Sequence, residues 1–391
     1  MKQGWEIKQL GDVCDKASSN VSQNQLDNEV GEYPIFGASG LIKNVSFYHQ
    51  DKPYLSIVKD GSGVGRVTKM DAYTSVIGTL QYILPNDGID LDYLNYSLMS
   101  VDFKKYVTGA AIPHIYFKDY KNEPFLWMPL SEQQQIVSIL NEAFANIERV
   151  KINNEQNLKN AKNIFDSHLH TLFTKLFQTG ERKFISDVAK VIGGYSFKST
   201  DFIKEGKYQV IRMGNVRPGV IREKESPVFI DELDEKALTK ALLQLNDVII
   251  TQTGTKKKRD YGFTVIIEKK NYLLNQRIAS IRFSDKYLPK FFLYFSWTNL
   301  FKDQYFANET GTVGQGNVGI GAITDAEVPF IPVKEQKEII DRIDELRIET
   351  QKLEAIYKKK IEDLEELKKS ILQKAFTGEL NTQIIMENVS R

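Results

Sequence analysis

The longest regular pattern in the sequence lies near its end. From Ile339 the positions Ile339, Ile343, Leu346, Thr350, Leu353, Tyr357, Lys360, Leu364, Leu367 and Ile371 step alternately by four and three residues, with only Thr350 and Lys360 polar. Apolar residues at this spacing form one stripe of an α-helix and, over several heptads, the seam of a coiled coil. Pro332 opens the segment, Glu335 puts negative charge in its first turn, and Gly378 stands where a C-terminal cap belongs. An earlier segment follows the pattern less regularly: Ile136, Leu140 and Ile147, then Leu158, Ala161, Phe165 and Leu172, with the polar run "NNEQN" between them. A helix of about 40 residues is on the order of 60 Å long. It cannot bury such a stripe alone, so the two stripes are expected to pair with each other.

The entrances to these segments are written alike. "PLSEQQQI" from Pro129 and "PVKEQKEI" from Pro332 share the proline, the Glu-Gln pair and the isoleucine. Four further echoes keep the same order. "GEYPIFGASG" from Gly31 answers "GKYQVIRMGN" from Gly206, and "PYLSIVKDGSG" answers "DVIITQTGTKK". "DYLNYSLMS" answers "KFFLYFSWT", and "FQTGE" ending at Glu181 answers "FTGE" ending at Glu379. Ordered matches of this kind mark an internal duplication. Each copy has a mixed region of short β-branched and aromatic runs, broken by Gly, Pro, Asn and Asp, which predicts an α+β or β-rich domain. The expected division is a first domain over 1–130, a central spacer helix over 131–180, a second domain over 181–333, and a C-terminal spacer helix and tail over 334–391. Since both helices leave similar domains at the same point, pseudo-twofold symmetry would run them antiparallel.

Composition narrows the class. The 391 residues are 41% hydrophobic and 26% charged, values of a globular chain with real cores rather than a disordered one. Cys14 is the only cysteine, which excludes an intrachain disulfide and a cysteine-built zinc site. The start "MKQGWEIKQLGD" lacks the apolar core of a signal peptide and no apolar run is long enough to span a bilayer, so a cytoplasmic protein is expected. The net charge of +1 hides an uneven distribution: Lys183–Lys290 holds 21 Lys+Arg against 13 Asp+Glu, whereas Lys334–Phe376 holds 11 of each.

Catalytic chemistry is hard to find. "GQGNVG", Gly314–Gly319, matches a dinucleotide fingerprint but is not followed by a helix, and "GGYSFKS" at Gly193 lacks the glycine a phosphate loop needs before its lysine. His168 and His170 stand two apart on an expected helix and face different ways; with His49 and His114 they make up all the histidines. No metal site and no catalytic residue is expected.

Binding chemistry is easier to see. Thr255, Lys256, Lys257, Lys258 and Arg259 follow an expected strand as a loop inside the basic region. The same region carries Arg212, Asn215, Arg217, Gln276 and Arg277, and further on Gln315 and Asn317. Arg, Asn and Gln can read base edges bidentately, while Lys mostly meets phosphate. The matching loop of the first copy presents Lys59, Ser62, Arg66 and Lys69 among glycines that let a backbone approach a ligand closely. These features point to nucleic acid.

In this order, and twice over, the paired entrances, the "FQTGE" and "FTGEL" ends, "YPIFGASG" with "KDGSGVGRV", "GAAIPHI" from Gly109, "IRMGNVRPG" from Ile211 and "LLNQRIASI" from Leu273 give the chain its likeness. It resembles the specificity subunit of type I restriction–modification systems over essentially its full length. The resemblance implies two target recognition domains, each reading half of a split double-stranded DNA site, joined by two long antiparallel coiled-coil helices. It implies no cofactor in this chain. Two methyltransferase subunits would use S-adenosylmethionine to methylate adenine, and motor–nuclease subunits would use ATP and Mg. It places the loops Asp60–Arg66 and Thr253–Arg259, and the segments around Gln276 and Gln315–Asn317, near DNA. The second copy carries "GQGNVGIG" with no counterpart to "IPHI", which suggests two domain subclasses and a non-palindromic target. Other readings are a scaffold with two heads that do not bind DNA, a nuclease acting alone, and the specificity subunit of a methylation-only system. Both Leu353→Asp and Leu364→Asp are expected to disrupt the helical spacer.

Overall fold

The computed structural model describes residues 4–312 and 314–379; the tail 380–391, grouped above with the C-terminal helix, lies outside the described residues. Two compact units emerge, and the boundaries between them fall inside the long helices. One holds the described residues 4–156 together with 357–379; the other is Asn157–Ile356.

The first unit is built on the strand Tyr54–Val58, "YLSIV", all five residues buried. An apolar and β-branched run broken only by the small Ser56 suits a strand covered on both faces. It lies third in a four-stranded antiparallel sheet ordered Cys14–Ser18, Leu80–Pro85, Tyr54–Val58, Val67–Met70. A second sheet is ordered Gly40–Val45, Tyr33–Gly37, Ser75–Val76, its last pair parallel. A two-stranded ribbon joins Glu6–Gln9 to Pro124–Trp127.

The second unit repeats this arrangement. Val248–Thr251, "VIIT", is buried throughout and lies third in Ala189–Gly193, Ile278–Phe283, Val248–Thr251, Thr264–Ile266. Phe229–Ile230, Tyr208–Ile211 and Tyr272–Leu274 form the three-stranded sheet, again ending in a parallel pair, and Glu181–Phe184 pairs with Glu327–Phe330. The duplication read from sequence echoes is thus a duplication of sheet order and strand direction.

The long helices are Leu130–Thr179 and Val333–Phe376. Ile136, Leu140 and Ile147 of the first share the first unit's core with Ile371, Leu372 and Ala375 of the second. There the Lys368 ammonium stands 5.1 Å from the Phe144 ring and Lys151 pairs with Glu365 at 2.5 Å, so one helix ascends as the other descends. In the second unit Leu169 and Phe173 share a core with Ile340 and Ile343. The two helices run antiparallel, as the sequence implied.

The heptad stripe, however, is not a uniformly dry seam. Ile343 and Ile371 are buried and Leu364 and Leu367 half-buried, but Leu353 is 38% exposed and Lys360 lies in solvent. Thr350 is buried, and its hydroxyl is satisfied by donating back to the Leu346 carbonyl at 2.9 Å. In the first helix Leu169 and Phe173 bury more fully than Phe165 and Leu172, and Leu158 is half-buried beside a fully packed Ala161. Besides meeting each other, the helices share a core with the sheets and short helices of each unit, which selects a wider face than a two-stranded seam alone.

Candidate nucleic-acid interface

Strand direction decides which loops meet. In the second unit Thr251 pairs with Ile278, Gly193 with Ala279, and Ile211 lies in parallel register with Leu274. The chain therefore leaves the strands at one end through Gly194–Phe197, Arg212–Asn215, Gln252–Arg259 and Asn275–Arg277. Candidates far apart in sequence come together here. Arg212, Asn215, Gln276 and Arg277 line one concavity of about 560 Å³. Beside it Thr253–Gly254 pairs with Gln315–Asn317, which pairs in turn with Thr310–Thr312. The basic loop lies against this small sheet: the Lys256 ammonium donates to the Gly311 carbonyl at 3.5 Å. Asp260 closes the loop, its carboxylate accepting from the Thr255 amide at 2.6 Å.

The first unit repeats the placement. Val58 pairs with Leu80 and Phe36 lies in parallel register with Val76, so Lys59–Arg66, Gly37–Gly40 and Gly78–Thr79 issue from one end. The Arg66 guanidinium donates to the Ala38 carbonyl, which ties two of these loops together. Gly65 has φ +86, and a Cβ there would stand 2.5 Å from that of Phe103, so this turn needs glycine. Ser62 is exposed at the tip and Lys59 pairs with Asp60 at 2.7 Å.

One expectation is overturned. "IPHI" does have a counterpart in the second unit. His114 bridges Asp60 and Thr108, as Asn317 pairs with Thr253 and Thr310. The Ile115 amide donates to Lys59 O at 3.0 Å, as that of Val318 donates to Gln252 O at 2.9 Å. "GQGNVG" therefore fills the place of "AIPHI" with different side chains on the same backbone path. His114, which was not among the candidate residues, belongs to the first unit's loop cluster; the parallel position of the two motifs late in each copy was the available signal.

Several candidates are held by the fold. Asn215 is 3% exposed, its amide oxygen accepting from the Arg212 N–H at 3.0 Å and its amide nitrogen donating to the carbonyls of Glu225 at 2.8 Å and Arg222 at 3.3 Å. It stitches a turn and has no edge left for a base. Arg217 donates to the Gly214 and Val216 carbonyls at 3.0 and 2.8 Å. Arg259 turns back over the Phe306 ring at 4.8 Å and toward Glu309 at 3.9 Å. Glu309 also accepts from the Tyr261 hydroxyl, and burial together with this carboxylate pushes that phenol well above its ordinary range. Lys69 sits on the strand Val67–Met70, paired with Asp92 at 2.7 Å. Arg212 donates to the Ser226 carbonyl. Asn317 accepts from the Thr253 hydroxyl at 3.0 Å. Lys257, Lys258, Gln315 and Arg277 are exposed, and their side chains make no hydrogen bond or ion pair among the described residues.

A family model, described as the type I restriction modification DNA specificity domain, matches residues 2–158 and again 179–363. The chain belongs to that DNA specificity family. Each match covers one copy of the repeat, so the family's domain is the duplicated module itself. This specificity chain is 24% identical over 415 aligned residues to the Escherichia coli Type I restriction enzyme EcoDI specificity subunit, covering 98% of this chain and 90% of that one. It is 25% identical over 221 residues to the EcoKI specificity subunit of E. coli (strain K12), 56% of this chain but 46% of that subunit. With the E. coli EcoBI specificity subunit it shares 23% over 188 residues, 38% of that subunit's length. The match thus spans less than half of the EcoKI and EcoBI subunits. Among solved structures, the HsdS subunit from Thermoanaerobacter tengcongensis superposes with a TM-score of 0.58 at 15% identity, covering 97% of this chain and 98% of that one. A chain from a structural study of complex assembly and conformational transition of the type I R-M system gives 0.73 at 14%, covering 97% and 99%. These likenesses establish a shared fold for the specificity chain.

Proposed function

We propose that this specificity-family chain is the DNA-reading subunit of a type I restriction–modification complex, each unit reading one half of a split, asymmetric duplex site. The reading rests chiefly on the equivalent loop ends of the two units, which share a backbone path but not side chains. Lys59, Ser62 and His114 stand in one where Lys256–Lys258, Gln276, Arg277 and Gln315 stand in the other. Two copies of one scaffold carrying different readout residues suit two different half-sites. The long helices would set the gap between them. They would also hold two methyltransferase subunits, which bring S-adenosylmethionine for adenine methylation, and motor–nuclease subunits that use ATP and Mg. A cytoplasmic location fits these partners, and no helix among the described residues is long and apolar enough to cross a membrane. Among them, too, no group of three or more His, Cys, Asp or Glu side chains is placed to hold a metal ion.

The test is a genome-wide map of methylated adenine in cells expressing the chain with its methyltransferase partner, against cells lacking the chain. A split motif with a fixed gap and two unlike halves is the expected result. Identical halves would refute the asymmetric reading. No new motif, with the complex shown to assemble, would overturn the DNA assignment in favour of a scaffold. Challenge with unmethylated foreign DNA separates a restricting system from a methylating one.

A further inference from the structure

We infer that Arg277, presented by the segment Asn275-Gln276-Arg277, is a specificity-determining residue of the second unit, and that it reads a guanine in that unit's half-site. The inference rests on the functional reading above and deepens it. Three observations carry it.

Arg277 has φ +68, a left-handed backbone that side-chain-bearing residues adopt at a cost. A glycine would adopt it freely, yet an arginine stands there. Its side chain is exposed and makes no hydrogen bond or ion pair among the described residues, unlike those of Arg212, Arg217, Arg259 and Arg282.

The backbone beneath it is clamped. The Arg277 carbonyl accepts from the Gln252 amide at 2.9 Å, the Asn275 amide donates to Ile211 O at 3.3 Å, and Tyr195 bridges Asn275. Gly194 lies so close that a Cβ there would stand 1.9 Å from the Asn275 carbonyl oxygen. Gln276 is steadied by the Ser196 hydroxyl, which donates to its amide oxygen at 3.2 Å. A strained residue on a rigid mount keeps its geometry before the ligand arrives, so less ordering is lost on binding.

The equivalent place in the first unit differs. The Lys59 amide donates to Thr79 O at 3.0 Å just as that of Gln252 donates to Arg277 O, so Gly78-Thr79 occupies the position of Gln276-Arg277. The shared fold thus tolerates small side chains here, and an arginine is not needed to build the turn. A guanidinium without a partner among the described residues, at the rim of a concavity also lined by Arg212 and Glu225, offers the planar fork that meets guanine O6 and N7 in the major groove. The Glu225 carboxylate is itself occupied by Arg222 at 2.8 Å, which leaves Arg277 free to face outward.

The experiment maps methylated adenine and measures duplex binding for the assembled methyltransferase carrying Arg277→Gly, Arg277→Lys or, as a phosphate-contact control, Lys257→Ala with Lys258→Ala. Arg277→Gly relieves the left-handed backbone and preserves the fold. It is expected to relax one guanine position of one half-site, with discrimination there falling roughly 10- to 100-fold, while the other half-site stays unchanged. Arg277→Lys keeps the charge but not the fork and should relax the same position. The lysine pair should weaken binding to all sequences and flatten its salt dependence without altering the motif. An unchanged motif with Arg277→Gly overturns the inference, as does a uniform loss of affinity like that of the lysine control. Full rescue of base preference by Arg277→Lys also overturns it, since charge alone would then suffice. Failure of the parent chain to direct any split motif would instead strike the functional reading itself.

Discussion

At the scale of single residues, the duplicated Glu-Gln pair has a concrete task. Gln133 and Gln336 are both fully buried. The Gln133 amide oxygen accepts from the Asp90 N–H at 2.8 Å, and its amide nitrogen donates to the carbonyls of Gly88 at 3.0 Å and Met128 at 2.8 Å. Gln336 does the same with Leu288 N–H at 2.7 Å, Lys286 O at 3.0 Å and Ile331 O at 2.8 Å. In each unit one side chain ties the start of the long helix to the N-terminus of the short helix before it, Leu91–Ser100 or Pro289–Ser296. A glutamate there could accept but not donate, and a leucine could do neither. Gln133→Leu should strand buried backbone groups and cost about 2–3 kcal/mol, read as a lowered urea midpoint, with Gln336→Leu acting alike in the second unit. The motif was plain in the sequence; its partners were not, because they come from a different part of each copy. Cys14 shows the same dependence on context: buried, and donating to Leu10 O at 3.3 Å, its thiol is pushed up to about 12, which makes it a packing residue.

At the scale of elements, the heptad pattern located the helix but misjudged where it is anchored. Ile343 is fully buried and Leu353 is 38% exposed, although they belong to one stripe about three turns apart. Ile343 belongs to the second unit's core together with Phe292 and Phe301, where a carboxylate would lose its water. Ile343→Asp should cost about 3–5 kcal/mol, whereas Leu353→Asp should stay within about 0.5 kcal/mol of the parent chain, both read by chemical denaturation. Equal effects would restore the uniform seam. Leu364, half-buried against the first unit's core, should fall between them. Periodicity reports the face of a helix, but which turns of that face are covered depends on neighbours drawn from elsewhere in the chain.

At the scale of the whole molecule, each unit is completed by the far end of the other copy's helix. Ile371, Leu372 and Ala375 lie in the core that contains Leu55, Ile57 and Ile83, more than 280 residues earlier in number. Cutting the chain after Ile356 removes them while leaving every residue of the first unit's sheets in place. Hydrogen-exchange protection should then fall at Leu55 and Ile57 and persist at Val248 and Ile250. Loss at both sites, or at neither, would contradict this division of the cores. The arrangement explains why a boundary between domain and spacer, natural to draw on a sequence, has no sharp physical counterpart here: the helices are core elements of both units.

Sequence alone determined the repeat, the two long helices, the exclusion of an intrachain disulfide and the basic character of the second copy. These rest on local order, on residue counts and on a period that a chain carries wherever it folds. Only the tertiary structure decided which candidates gather at strand ends, that Asn215, Arg217, Arg259 and Lys69 are engaged by the fold, that His114 and Asn317 share one structural position, and that Arg277 has no hydrogen-bond or ion-pair partner among the described residues. The reason is that a side chain's availability depends on partners brought close by sheet register. A one-residue change in register moves every such partner to the opposite face.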